Sequence, residues 1–341
     1  MLRAGLLIAL ALLAWWVVGD VLLVIFSGVL LAVLLNGLSE WIAARTGLPA
    51  RLSFAAVVVS IGLAIAGAAY FLMPRTGQEL GELATQLPQE LQRLEGQIAQ
   101  TSWGEMLIRE LTPGGTGGGA ERAALGHFFG AASSAASAAA GLVIALFVGL
   151  YLAADPGIYL TGALRLVPPT RRSRARDVLI EVALALRWWF IGRLISMAVI
   201  AAATCIGLWL LGVPLALTLG LLSGALSFVP YIGSVSSAVP PLLIALTKSP
   251  SLALYVIVLY LLVHILEGYV LVPLMQKRLV HLPPALTLSA QAILGSLFGI
   301  IGLALATPLT AAALVAVRML YVEDILHDDL DDLDDPPRSH H

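Results

Sequence analysis

Glu267 and His264 stand three residues apart within an apolar run, a spacing that puts both on one face of a helix. Arg187 and Arg193 lie at one end of another apolar run. Ionisable groups in such runs are costly unless paired or wetted, so each marks a place where chemistry is expected. Two readings fit Glu267. It is a proton or cation site, tuned by His264 and neighboured by Arg193. Or it is one half of a structural ion pair with Arg187 or Arg193. The residue types leave both open.

A second constellation is the stretch "LSFVPYIGSVSSAVPP", residues 226–241, where three prolines, one glycine and four serines interrupt an apolar segment. Backbone freed from helical hydrogen bonds at membrane depth is tolerated where protein buries it or where it lines a watery cavity. Pro230 cannot donate a backbone hydrogen bond and would stop a helix. Gly233 can adopt a positive φ and allow close approach of a ligand. Ser227, Ser234, Ser236 and Ser237 supply hydroxyls, and Tyr231 stands beside the proline. These residues would suit a small polar solute. The competing reading, close helix packing, is favoured for Gly126-x-x-x-Gly130, Gly220-x-x-x-Gly224 and Gly295-x-x-x-Gly299.

The elements that must position these groups follow from composition. The chain has 341 residues, 59% hydrophobic and 12% charged, about half the charged share of a soluble domain. It cannot coat a water-facing surface, and an all-α, polytopic helical membrane protein is expected. A helix of about 20 apolar residues crosses the bilayer core. Residues 53–73, 132–154, 188–211 and 252–275 each fit one crossing. Residues 5–38 and 284–317 are too long for one and carry breaks, Gly19-Asp20 in the first and Gly295, Gly299 and Gly302 in the second. Both are read as hairpins, with Asp20 an interfacial turn residue, and residues 214–247 form a third. About eight membrane segments result.

Arginine placement sets the orientation. Arg3, Arg45 and Arg51, the cluster from Arg165 to Arg176, Lys277, Arg278 and Arg318 fall on one side, the cytoplasm. Residues 75–125, with four arginines against seven glutamates, fall outside. Both termini are then cytoplasmic. Within the external insert, Leu80, Leu83, Leu87, Leu91, Leu94 and Ile98 recur at helical spacing. The insert is an amphipathic helix on the membrane or against a second subunit, or a simple surface connection. "PGGTGGG" lacks the ending of a phosphate loop and reads as a linker. The tail at 323–341 opens with eight carboxylates in thirteen residues and is expected to be disordered and solvated. Domain by domain, residues 1–74 are N-terminal spans, 75–125 the insert, and 126–322 a transport core containing the hairpins 214–247 and 284–317. The lone Cys205 supports no disulfide framework.

Residues 216–233 and 285–302 agree at seven of eighteen positions with a constant offset of 69. On the charge-derived topology the first hairpin enters from outside and the second from inside. Two similar hairpins of opposite orientation signal an inverted repeat with a binding site where the tips meet. The substrate-binding candidates are therefore Ser227, Pro230, Tyr231, Gly233, Ser234, Ser236 and Ser237 from one tip and Gly295, Gly299 and Gly302 from the other. The ion-coupling candidates are Glu267, His264 and Arg193.

"GVPLALTLGLLSGALSFVPYIG", "EGYVLVPLMQKRLVHLPPALTLSA" and "GSLFGIIGLALATPLTAA" also carry a resemblance. In order and spacing they resemble the signatures of the autoinducer-2 exporter family of permease-like membrane proteins, over nearly the whole chain. Ser234 stands where that family usually has a further proline, and Gly192-Arg193 where it often has Gly-Gln. The resemblance implies a bacterial inner-membrane secondary transporter that exports a small polar solute such as autoinducer-2, a quorum-sensing signal, on an ion or solute gradient. Other members imply sodium- or lithium-proton antiport. A non-transporting scaffold, binding through its external helices and acidic tail, is the reading from another class. No zinc spacing, nucleophile elbow or ATP-binding motif is present, so no enzymatic activity, cofactor or metal is expected. The expected partners are the bilayer, a polar solute or monovalent cation and proton, and further copies of the chain. Nothing suggests nucleic acid.

Overall fold

Every backbone N–H and C=O in hydrocarbon needs a partner, and a helix supplies it within one segment. The computed structural model describes residues 2–67, 70, 141–271 and 282–327, and among these the regular elements are all helical. They are α1 (Leu2–Thr46), α2 (Ala50–Gly67), α3 (Gly141–Ala154), α4 (Pro156–Arg165), α5 (Arg172–Leu210), α6 (Ala216–Leu226), α7 (Ile232–Lys248), α8 (Pro250–Leu266) and α9 (Pro284–Val317). Two run on as π-helical turns, α8 through Glu267–Leu271 and α9 through Arg318–Leu326. Among the described residues five segments are long and apolar enough to cross a membrane, or six if α3 and α4, bent by 90° at Asp155, form one broken span. The protein is an all-helical, multi-pass membrane protein. The insert at 75–125, the Gly126 pair, Lys277, Arg278 and the tail beyond His327 lie outside the described residues.

The chain divides into two compact units. One comprises Met1–Phe54, Ile144–Gly192 and Met275–His341, the other Ala55–Val143 and Arg193–Leu274.

In the first unit, α1 corrects an expectation. Residues 5–38 are not a hairpin, because the helix runs unbroken through Gly19 and Asp20. A glycine lowers helix propensity by only about 1 kcal/mol and does not end a helix that packing supports. A Cβ at Gly19 would strike the ring of Phe298, so this glycine is a packing notch for α9 and Asp20 is a helical residue. The same device recurs along α1. A Cβ at Gly28 would come within 2.6 Å of Val148 on α3, and one at Gly37 would collide with the Arg187 guanidinium on α5.

The expected hairpin at 284–317 is present, hidden within α9. Gly299 has φ 61° and ψ −142°, which only glycine adopts readily, and the helix reverses there. Gln291 Nε2 donates to Thr307 Oγ1 at 3.4 Å across sixteen residues, a stretch that would measure about 24 Å in a straight helix. The first arm, residues 284–298, is then about 22 Å long, and the second measures about 27 Å from residue 300 to Val317 before it continues into the turns of Arg318–Leu326. At the far end of α9, Arg174 donates to Glu323 at 2.8 Å and to the Met319 carbonyl at 3.0 Å. Asp324 stands 2.9 Å from the same guanidinium. The acidic stretch expected to be disordered from Glu323 thus begins as an ion-paired helical turn.

In the second unit, α6 and α7 form the hairpin at 214–247. Its first arm has 11 residues, about 17 Å of helix, too short to cross by itself. The two hairpins share a construction that matches the 69-residue offset. A Cβ at Gly233 would collide with the Leu226 carbonyl on the opposing arm, and one at Gly302 with the Leu294 carbonyl. Gly233 and Gly302 are aligned partners in the repeat. Pro241 and Pro308, in the second arms, are both fully buried.

Candidate functional site

The site in the second unit is built from α5, the α6–α7 hairpin and the end of α8. Small residues bring α6 against α5. The missing Cβ of Gly220 faces the Cys205 backbone at 2.7 Å, and that of Gly224 faces the Met197 carbonyl at 2.7 Å. The packing reading of this glycine pair is the one the geometry supports. Beneath it Leu208, Leu219, Ala245, Val256 and Tyr260 form a buried apolar cluster. Tyr260 ties the hairpin to α8. Its hydroxyl lies 2.7 Å from Ser223 Oγ on the first arm and donates to the Ser237 carbonyl on the second at 3.2 Å.

The tip itself occupies residues 227–231. Ile232 N–H donates to the Pro230 carbonyl at 2.8 Å, closing a three-residue turn centred on Tyr231 at φ 64° and ψ −64°. That is the rare, strained form of the γ-turn, and strain of this kind clusters at functional sites. The positive φ expected of Gly233 therefore falls on Tyr231. Gly233 lies inside α7, where its value is the space it leaves for the Leu226 carbonyl. The Val229 carbonyl accepts from Gly233 N–H at 3.0 Å. The Phe228 carbonyl accepts from Arg193 Nε at 3.1 Å.

Arg193 is the centre of the arrangement. Its Nη1 donates to Glu267 Oε1 at 3.1 Å, and Ser234 Oγ donates to Glu267 Oε2 at 3.2 Å. The side chains of Arg193 and Glu267 are only 9% and 13% exposed. Buried charge pairs of this kind are held at a desolvation cost of several kcal/mol per ion. The Arg193 Nη2 is also buried and has no hydrogen-bond partner. Glu267 opens the π-helical turn, a distortion frequent at functional positions. One guanidinium thus clasps α8, the second arm of the hairpin through Glu267 and Ser234, and the carbonyl of its broken tip.

Of the expected site residues, the structure joins Arg193, Glu267 and Ser234 directly. Ser227, Ser236 and Ser237 donate their hydroxyls to backbone carbonyls within three or four residues, at 2.7–2.8 Å, and keep lone pairs free to accept. His264 donates Nδ1–H to the Tyr260 carbonyl at 2.7 Å, one helical turn back, rather than to Glu267. Gly295, Gly299 and Gly302 belong to the first unit, where they shape the other tip: Gly299 by its positive φ, Gly295 facing Leu303, Gly302 facing Leu294. Sequence reading passed over Tyr260 and the Phe228 carbonyl. Tyr260, His264 and Glu267 fall at i, i+4 and i+7, the spacing of one helical face, and that spacing was the signal available for Tyr260. No pattern foretells which carbonyl of a turn will meet a distant side chain.

Residues 6–321 match the family model described as AI-2E family transporter. The chain belongs to this family. It is 27% identical over 322 residues to the candidate transport protein YrrI of Bacillus subtilis (strain 168), covering 90% of this chain and 88% of that protein. It is 27% identical over 170 residues to YueF of the same organism, half of this chain and 46% of that one. It is 36% identical over 107 residues, 31% of each chain, to YhhT of Escherichia coli (strain K12). YueF and YhhT too carry names of candidate transport proteins.

Proposed function

We propose that this AI-2E family member is a secondary transporter that exports a small polar solute of the autoinducer-2 kind, driven by an ion or solute gradient, from the bacterial inner membrane. The observation that carries this reading is the clasp of Arg193 on Glu267 and on the Phe228 carbonyl. With the clasp closed, the Arg193 Nη1 and Nε, both Glu267 oxygens and the Phe228 carbonyl bond one another or Ser234, while the Arg193 Nη2 stays unpaired. When the clasp opens, it releases a guanidinium, a carboxylate, the Ser234 hydroxyl and a backbone carbonyl together, a set of donors and acceptors that matches a polyhydroxylated solute. Such groups at membrane depth stay unpaired only at high cost, so the solute replaces the internal bonds and the tip closes again when it leaves.

The buried Glu267 also favours a second reading, sodium- or lithium-proton antiport, in which the carboxylate exchanges its internal cation for an external one. Purified protein in liposomes separates the two. The export reading expects autoinducer-2 flux under an imposed gradient, and in Glu267→Gln whatever flux remains should lose any dependence on pH or cation. Cation-proton exchange without solute flux would establish the antiporter reading instead. No movement of either under any gradient would sink both.

A further inference from the structure

We propose that the first unit carries a binding site for an anionic phospholipid, separate from the hairpin site and independent of the transported solute. A cavity of about 1040 Å³ lies among α1, α2, α3, α4 and α5. Its walls are mostly apolar, with Val29, Leu152, Leu160 and Leu179 among them, and its charged lining residues are Glu40, Arg51 and Arg187. Arg187 is already engaged. It donates Nη1 to Glu40 and Nη2 to the Gly37 carbonyl, both at 2.8 Å. Arg51 is exposed and has no ion-pair partner among the described residues, which leaves the charged part of the cavity with one uncompensated positive charge.

Two observations place that charged part at headgroup level. α4 meets α3 at 90°, buries none of its ten residues and lines the cavity through Tyr159, Leu160 and Ala163. A short helix at right angles to its apolar neighbour α3, apolar toward a cavity and ending in an arginine, has the character of an interfacial helix. Trp41, beside Glu40 on α1, is exposed and holds Arg45 over its ring at 5.1 Å, an anchor typical of the membrane–water boundary. An apolar cavity of this size offers little to a small polar solute, whose hydroxyls would go unpaired. It suits acyl chains, with the lone Arg51 set to receive a phosphate. Basic pockets between membrane helices bind lipid headgroups in this way.

The test uses the purified full chain in nanodiscs of equal parts phosphatidylglycerol and phosphatidylcholine, then detergent extraction and native mass spectrometry. Retained phosphatidylglycerol should exceed phosphatidylcholine. Arg51→Gln should lower its retention about fivefold. Ala163→Trp, which fills the cavity without changing charge, should lower retention of both lipids. Millimolar inorganic phosphate should displace neither. Equal retention in the wild type and in Arg51→Gln, checked for unchanged helicity, would overturn the proposal. So would displacement by inorganic phosphate, which would make the site one for a free anion.

Discussion

Arg193 and Glu267 form a pair in which neither partner can be lost quietly. Removing one strands a buried charge, and such losses run to about 3–5 kcal/mol, whereas replacing both with neutral groups often costs far less. Arg193→Gln and Glu267→Gln should each lower the thermal stability of the purified protein sharply. The double variant should recover much of the loss. A double-mutant cycle by thermal unfolding reads this directly, and additive losses would show the two side chains to be uncoupled. At this scale the sequence was informative wherever a residue was out of place in its solvent. Glu267 and Arg193 announced themselves because charge in an apolar run demands a partner, though which arginine it would be depended on the fold. The spacing of His264 to Glu267 did not show that its ring would bond the Tyr260 carbonyl one turn behind it.

The hairpins are closed by absences. Gly233 and Gly302 each leave room for a carbonyl of the opposing arm. Alanine at either position must push the arms apart, an overpacking penalty of about 1–3 kcal/mol. Gly233→Ala and Gly302→Ala should therefore lower the melting temperature and, if the tips act in transport, the flux. Gly62→Ala is the control: a Cβ there meets nothing within 4 Å, so alanine should be neutral or stabilise the helix by up to about 1 kcal/mol. Equal melting temperatures for all three variants would remove the packing role. The hairpin at 284–317 was legible because its run is too long for one crossing and broken by glycines. By the same logic residues 5–38 looked like a hairpin and are one helix. Both runs contain glycine, and glycine permits a reversal without requiring it. α1 stays straight through Gly19 because Phe298 fills the notch.

For the molecule as a whole, the arginine distribution predicts the side on which the 166–171 loop lies. Leu166 is 89% exposed, and a cysteine placed there in a Cys205→Ala background reports it. Leu166→Cys should react with a membrane-impermeant maleimide in inverted vesicles and not in intact cells. The reverse pattern would invert the topology and with it the assignment of Arg51 to the cytoplasmic leaflet.

Sequence alone determined the solvent, the helical class and the costly charges, and two of the three segments it read as broken, because each follows from local chemistry: apolar content, chain length against bilayer thickness, and the price of charge or freed backbone in hydrocarbon. The internal repeat was legible too, since the aligned Gly233 and Gly302 are constrained by the same close approach. Tertiary structure decided the rest. It set which arginine faces Glu267, which residue bears the strained turn, and whether a glycine marks a fold or a contact. Those outcomes depend on neighbours distant in the chain. Phe298 against Gly19, Leu226 against Gly233 and Phe228 against Arg193 are brought within reach only when the helices pack, and no spacing along the sequence encodes them.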